Sequence, residues 1–340
     1  MEFNLNQRAT DDRLQEFADK IQELSELIGF KVSARGWCYQ LETERLINKD
    51  EFDKVESWIN KCRKKGILPI DFTAEEEGRK FKGVEKPCAN TPIEELREWI
   101  EQASESHKYY TPDWWDGEEY YIQMLVEKVD LKTLFFPVCS LYHIPIATSK
   151  GWSSMLQRAE YAKRFQEAES LGLKCVLLYC GDHDPDGLRI SDFLRKGLED
   201  LKDISWEDGD SGYDPEDLII KRFGLEADFI EEHNITWIDN LITGSKKNLA
   251  SPTHKNYNMP YVQEYLGKYG ERKCEANAII PMPKIARNLV NGAITDFVGD
   301  EAHSRFDAKR QAVRKELEDF KAKTGLDKSF EKALRLMDEE

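Results

Sequence analysis

Gly181-Asp182-His183-Asp184-Pro185-Asp186-Gly187 follows directly on the apolar run Cys175-Val176-Leu177-Leu178-Tyr179-Cys180. An apolar run of that length closed by a glycine reads as a fully buried strand. Asp182 and Asp184 therefore sit just past a strand's carboxyl end, where open α/β sheets place their sites. A second strand-like run, Tyr120 to Val126, ends in Glu127-Lys128. The spacing predicts that Glu127, Asp182 and Asp184 converge at one edge of a parallel sheet. Converging carboxylates repel one another unless a cation joins them, and hard oxygen donors suit Mg²⁺, for which Mn²⁺ can substitute.

The loop supports other readings. Asp182, Asp184, Asp186 and Gly187 match the opening of a calcium-binding EF-hand loop, but its twelfth position, which needs a bidentate Glu, is Phe193. An acidic turn capping a helix that begins near Leu188 is the purely structural alternative. Asp186 adds a further carboxylate and is a candidate extra metal ligand. His183, between the two aspartates, reads either as a group orienting a ligand or as a solvated turn residue.

Working outward, 340 residues suggest about two domains. The content of 34% charged and 40% hydrophobic residues is that of a soluble, rather polar globular protein. No apolar run approaches the ~20 residues of a membrane span, and the N-terminus has no signal-peptide pattern. Seven cysteines without a C-x-x-C pair support neither a disulfide framework nor a structural zinc site, so a cytoplasmic location is expected. The net charge of −16 argues against nonspecific avidity for nucleic acid, yet local basic clusters such as Arg63-Lys64-Lys65 and Lys246-Lys247 leave a DNA-binding groove open.

At the N-terminus, Leu14, Phe17, Ile21, Leu24, Leu27 and Ile28 recur at helical spacing before Gly29. Ser33 is placed to cap a short second helix. A third helix, about Lys49 to Lys65, would bury Phe52, Val55, Trp58 and Ile59, and an extended Ile67-Phe72 follows. Three helices and a β wing suggest a winged helix, a fold that lays a helix along DNA. Arg35 precedes Tyr39 by four positions, so the two share a helix face. A guanidinium there can neutralise a phosphate that the phenol attacks, and the alternative is a half-buried packing tyrosine.

These segments in this order resemble the A subunit of DNA topoisomerase VI and the related meiotic double-strand-break protein. That family carries Arg-Asp-Ile-(Phe/Tyr)-Tyr, matched here by Arg35 and Tyr39, with Gly36 in place of the Asp. Its Toprim domain carries Val-Glu-Lys, matched by Val126-Glu127-Lys128, and Asp-Ala-Asp-Pro-Tyr-Gly, matched by Asp182 to Gly187 with His183 and Asp186 as departures. Ser149-Lys150-Gly151 resembles its Gly-Lys-Gly segment, and Lys273 to Ala278 resembles its Glu-(Leu/Ile)-(Asp/Glu)-Ala-Leu stretch. The Gly-Asp-His-Asp-Pro form is closest to the short standalone relatives.

The resemblance implies an α/β protein in which a winged-helix domain (1–85) and a connector (86–119) precede a Toprim domain. That domain, at 120–340, has a Rossmann-like, mostly parallel sheet, an insertion and a C-terminal helix. It further implies that Tyr39 attacks double-stranded DNA to form a 5′-phosphotyrosyl bond, with Glu127, Asp182 and Asp184 on Mg²⁺. Arg35 and Lys150 would neutralise the phosphate. Because the family pairs one protomer's tyrosine with the other's metal site, a homodimer is implied, as is nucleoid association. No P-loop is present, so any ATP dependence would need a separate ATPase B-type subunit. Two alternatives stay open, a Toprim nuclease that activates water and a noncatalytic DNA-binding module. The aromatic group Tyr109, Tyr110, Trp114, Trp115, Tyr120 and Tyr121 reads as packing or as a stacking surface, Tyr213–Tyr269 as an excursion from the sheet, and about 302–323 as a helix.

Overall fold

Leu14, Phe17, Ile21, Leu24 and Ile28 form the buried stripe of helix α1 (Asp11–Ile28). Leu27 is 60% exposed, because at 3.6 residues per turn it falls roughly 100° round the helix from the stripe's centre. Gly29, at φ 73°, ends the helix. Ser33 then caps α2 (Ala34–Thr43), its hydroxyl accepting from Gly36 N at 3.0 Å. A 3-10 turn at Lys49–Glu51, boxed by Asn48 and Glu51, leads into α3 (Phe52–Lys64). Trp37, Leu41, Val55, Trp58 and Ile59 fill the space between the helices, with Phe17 edge-on to Trp58 at 5.6 Å. Ile67–Phe72 is a series of bends and turns rather than an extended run. Phe72 N closes a turn onto Pro69 O at 3.1 Å, and Ala74 makes an isolated parallel bridge to Ser33.

This is a computed structural model, and the residues it describes are 3, 5, 7–74, 83, 88–149, 154–204, 212–242 and 247–338. The chain divides into two compact units, Met1–Glu75 with Glu119–Phe297, and Glu76–Glu118 with Val298–Glu340. Helices α4 (Pro92–Ser104) and α5 (Ser106–Tyr109) belong to the second unit.

In the first unit, strand β1 (Tyr120–Val126) is followed by α6 (Val129–Leu141), β2 (Ile146–Thr148) and α7 (Met155–Ser170). Strand β3 (Lys174–Cys180), α8 (Ile190–Glu199) and β4 (Ile219–Arg222) complete a four-stranded parallel sheet of order β2-β1-β3-β4. Parallel strands cannot be joined by tight turns, so each connection carries a helix. Strands β1 and β3 are buried almost end to end and read as continuous apolar runs, with Val126 opposite Cys180. Gln123, in the middle of β1, is tolerated because Tyr161 O accepts its amide at 3.1 Å and its oxygen accepts from Arg164 at 3.0 Å.

The Tyr213–Tyr269 stretch is an excursion from the sheet only after Arg222. It supplies β4, then α9 (Ala227–Glu232) and α10 (Pro260–Tyr269), and α11 (Pro283–Val298) follows. In the second unit, α12 (Ala302–Thr324) and α13 (Leu326–Asp338) join α4 and α5. Phe306 packs on Trp114 at 4.5 Å, and Lys309 donates to Asp113 O and Trp114 O at 3.2 and 3.1 Å. Tyr121 packs on Phe165 in the first unit, while Tyr109 and Tyr110 are exposed. No helix among the described residues is long and apolar enough to cross a membrane.

Candidate functional site

Since Val126 faces Cys180, the residues after β1 and β3 leave the sheet side by side. Glu127 N donates to Cys180 O at 2.9 Å, and Glu127 Oε2 accepts from Asp182 N at 2.7 Å. A third segment arrives when Cys274 pairs antiparallel with His183, which brings Ala276 N to 2.7 Å from Asp182 Oδ1. Lys128 Nζ lies between the acids, 2.7 Å from Glu127 Oε1, 2.9 Å from Asp182 Oδ2 and 3.7 Å from Glu275 Oε2. Glu275 Oε1 also takes Lys273 at 2.5 Å and Lys49 at 3.2 Å.

Helix α2 brings Tyr39 to the same cluster. Lys128 Nζ stands 5.4 Å from the centre of its ring and Lys49 Nζ 5.9 Å, with Phe52 edge-on at 5.1 Å. The neighbouring Gln40 donates to Asn277 O at 2.8 Å, tying α2 to the turn after Glu275. Asp130 holds the start of α2 by accepting Ser33 N at 3.0 Å and Ser33 Oγ at 3.3 Å. Its carboxylate fills the space beside Gly36, where a Cβ would come 2.0 Å from Asp130 Oδ2. Gly36→Ala is therefore expected to cost about 1–3 kcal/mol by overpacking. Urea unfolding checks this, and an unchanged midpoint would mean that Asp130 yields freely.

Electrostatics divide the acids. Burial opposes the charge of Glu127, but Lys128 and the Asp182 amide outweigh it and hold the carboxyl below its ordinary value. Glu275 is likewise held well down, its burial overcome by Lys128, Lys273 and Lys49. Burial and the charge of Glu275 push Asp182 well above the ordinary range. Lys128 is raised well above its own value, its burial outweighed by Asp182, Glu127 and Glu275. For Tyr39, burial raises the phenol against the opposing pull of Lys128.

Asp184 stands apart. Its Oδ1 accepts Gly187 N at 2.6 Å, yet burial, with the charges of Glu127 and Asp186 adding to it, pushes it up to about 6. A carboxyl raised in the folded state adds stability that is full below its unfolded value and lost as pH rises through about 6. Asp184→Asn should remove that loss and stabilise the protein at pH 7 by up to about 3 kcal/mol. Urea unfolding at pH 4 and pH 7 tests this, and an unaltered pH slope in the variant would refute it.

Comparison of the chain with family models, with curated proteins and with solved structures finds no match. The structure brings Tyr39, Glu127 and Asp182 together around one ammonium, with Asp184 one turn of loop away. Arg35 is drawn elsewhere: its guanidinium is exposed, paired with Glu56 at 3.2 Å and Asp53 at 3.7 Å, and lies 4.8 Å over Phe52. Asp186 is exposed and accepts the Tyr261 hydroxyl at 3.0 Å. Lys150 lies outside the described residues. His183 is neither solvated nor turned to the acids. It is fully buried against Trp237 and Tyr269 at 5.4 and 4.8 Å, and burial lowers its pKa. Its Nδ1 contacts Leu225 O at 2.6 Å, so the neutral ring donates there.

The cation that the converging acids require is supplied by the chain itself, through Lys128, Lys49 and Lys273. Sequence reasoning did not assign these lysines or Glu275. Lys128, Lys273 and Glu275 lie within the segments that resemble the family's motifs but were given no role there, and Lys49 carried no signal. Among the described residues, no group of three or more His, Cys, Asp and Glu is arranged to hold a metal ion. The donor chemistry nonetheless fits Mg²⁺ in part, because Glu127 and Asp182 already offer hard oxygens to one shared cation.

Proposed function

We propose that this protein is a DNA-cleaving transesterase of the topoisomerase VI A-subunit type, its three N-terminal helices serving as a winged helix and its parallel sheet as a Toprim core. The observation that carries the reading is Lys128, whose ammonium lies against both the Tyr39 ring and the Glu127–Asp182 pair. In this reading the Tyr39 phenol gives its proton to water and its oxygen bonds to a backbone phosphorus. The phosphorus–O3′ bond breaks, and the 3′ oxygen takes up a proton. Lys128 and Lys49 would provide positive charge beside the phenol and the attacked phosphate, with Arg35 acting on the phenol more weakly. Glu127 and Asp182, with Asp184 or Glu275 beside them, would hold Mg²⁺, which supplies charge at the leaving oxygen when bound.

Tyr39 stands at its own chain's acids, so the reading places the whole reaction in one chain rather than across a homodimer. A mixture of Tyr39→Phe and Asp184→Asn chains should then cleave supercoiled DNA no better than either variant alone. Restored cleavage in the mixture would move the tyrosine's partner acids to a second protomer.

Asp184 favours a second reading. A carboxyl at about 6 is matched to general-base work near neutral pH, and burial keeps the Tyr39 phenol protonated. The protein would then be a Toprim-type nuclease in which water attacks, and cleavage would survive Tyr39→Phe.

A further inference from the structure

Beside the loop that carries the acids lies a concave site. A cavity of about 360 Å³ is lined by Tyr261, Tyr265 and Tyr269 of α10, with Pro185, Leu188, Arg189, Glu264 and Lys268 around them. The tyrosines recur every four residues and so form one stripe of the helix. Their positions are fixed. Tyr261 donates to Asp186 Oδ1 at 3.0 Å, and the Tyr265 hydroxyl is placed 2.9 Å from His183 O and from Arg272 O. Arg189 lies 4.8 Å over the Tyr261 ring. The volume is within the range of small-ligand sites.

Aromatic faces beside a guanidinium and an ammonium are the chemistry that holds an unstacked base and its phosphate. Glu264 adds an acceptor for a base amino group. We propose that this cavity takes one unpaired base of a DNA strand, with its phosphate drawn to Arg189 and Lys268; the proposal rests on the DNA-cleavage reading above. It gives Asp186 a use, as the group that fixes Tyr261 at the cavity's edge. It also ties the cavity to the acids, because His183, between Asp182 and Asp184, packs against Tyr265 and Tyr269. A base seated there would set the register of the strand relative to Asp182 and Asp184.

The test is binding of labelled oligodeoxyadenylate by the full chain carrying Tyr39→Phe, so that no strand is cut. Adding Tyr261→Leu should weaken binding about tenfold, while Tyr261→Phe, which keeps the ring but loses the hydrogen bond to Asp186, should weaken it less. Lys268→Glu, on an exposed residue, should weaken binding and flatten its salt dependence, and it carries the test if the leucine variant does not fold. A 2-aminopurine placed as the unpaired base of a duplex should be quenched by the parent and not by Tyr261→Leu. If the parent binds DNA and the Tyr261→Leu and Lys268→Glu variants bind equally well, the cavity reading is overturned and the cleavage reading stands. If the parent binds no DNA, both fall. Equal affinity for free dAMP would make a nucleotide the occupant and overturn the strand.

Discussion

Tyr39→Phe is expected to keep its fold and to lose DNA strand cleavage by roughly 10³-fold or more, the scale on which a covalent nucleophile's removal is felt. The fold should survive because, among the described residues, no hydrogen bond of the Tyr39 hydroxyl holds an element together, whereas the ring packs on Phe52 and under Lys128. Chemistry should fail because, in the proposed reading, the phenol is the nucleophile. It also carries a burden: burial raises its pKa, with the charges of Glu275 and Asp182 adding to it, against the pull of Lys128 and, more weakly, of Arg35. A rate that rises with pH through neutrality is therefore expected for the wild type, as deprotonation becomes easier. A thermal melt establishes folding, and a supercoiled-plasmid assay measures the loss. Cleavage by the variant at the parental rate would transfer the attack to water and leave Tyr39 a packing residue.

Lys128→Met should be the most destabilising change in the site. The methionine matches the lysine's stem but leaves Glu127, Asp182 and Glu275 without the ammonium they share. Removing one partner from a buried ionic cluster costs about 3–5 kcal/mol, because the remaining charges stay buried. Lys273 and Lys49 still face Glu275, so the deficit should fall on Glu127 and Asp182. Millimolar Mg²⁺ or Mn²⁺ should then raise the melting temperature of the variant more than that of the wild type, since the ammonium no longer competes for the same oxygens. A variant as stable as the wild type and indifferent to divalent ions would show that the acids do not depend on a shared cation.

The pairing of β1 with β3 could be read from the chain because strands buried on both faces are continuous apolar runs, and the residues that end them follow directly. That placed Glu127 beside Asp182 correctly. Strand β4 escaped because Ile219-Ile220-Lys221-Arg222 is short and half charged, with little of the apolar signal of a buried strand. The lysines escaped for a different reason. Periodicity places a residue on a face, but it does not say which groups from distant segments meet it, and Lys49, Lys128 and Lys273 come together at Glu275. Arg35 shows the same limit: its spacing from Tyr39 was right for a shared helix face, yet Glu56 and Asp53 of α3 take its guanidinium. His183 was misjudged because the loop around it is polar, while the ring is enclosed by aromatic residues from a later part of the chain.

The most direct test of the central claim is the chemical state of the DNA ends after wild-type protein is incubated with supercoiled DNA and Mg²⁺. The products are denatured at once and divided, one half being treated with protease. Protein is expected at the 5′ ends, seen as DNA retained until protease releases it, with 3′ hydroxyls that a polymerase extends, and no such adduct from Tyr39→Phe. Cut DNA with both ends free of protein, or an adduct undiminished in Tyr39→Phe, would contradict it.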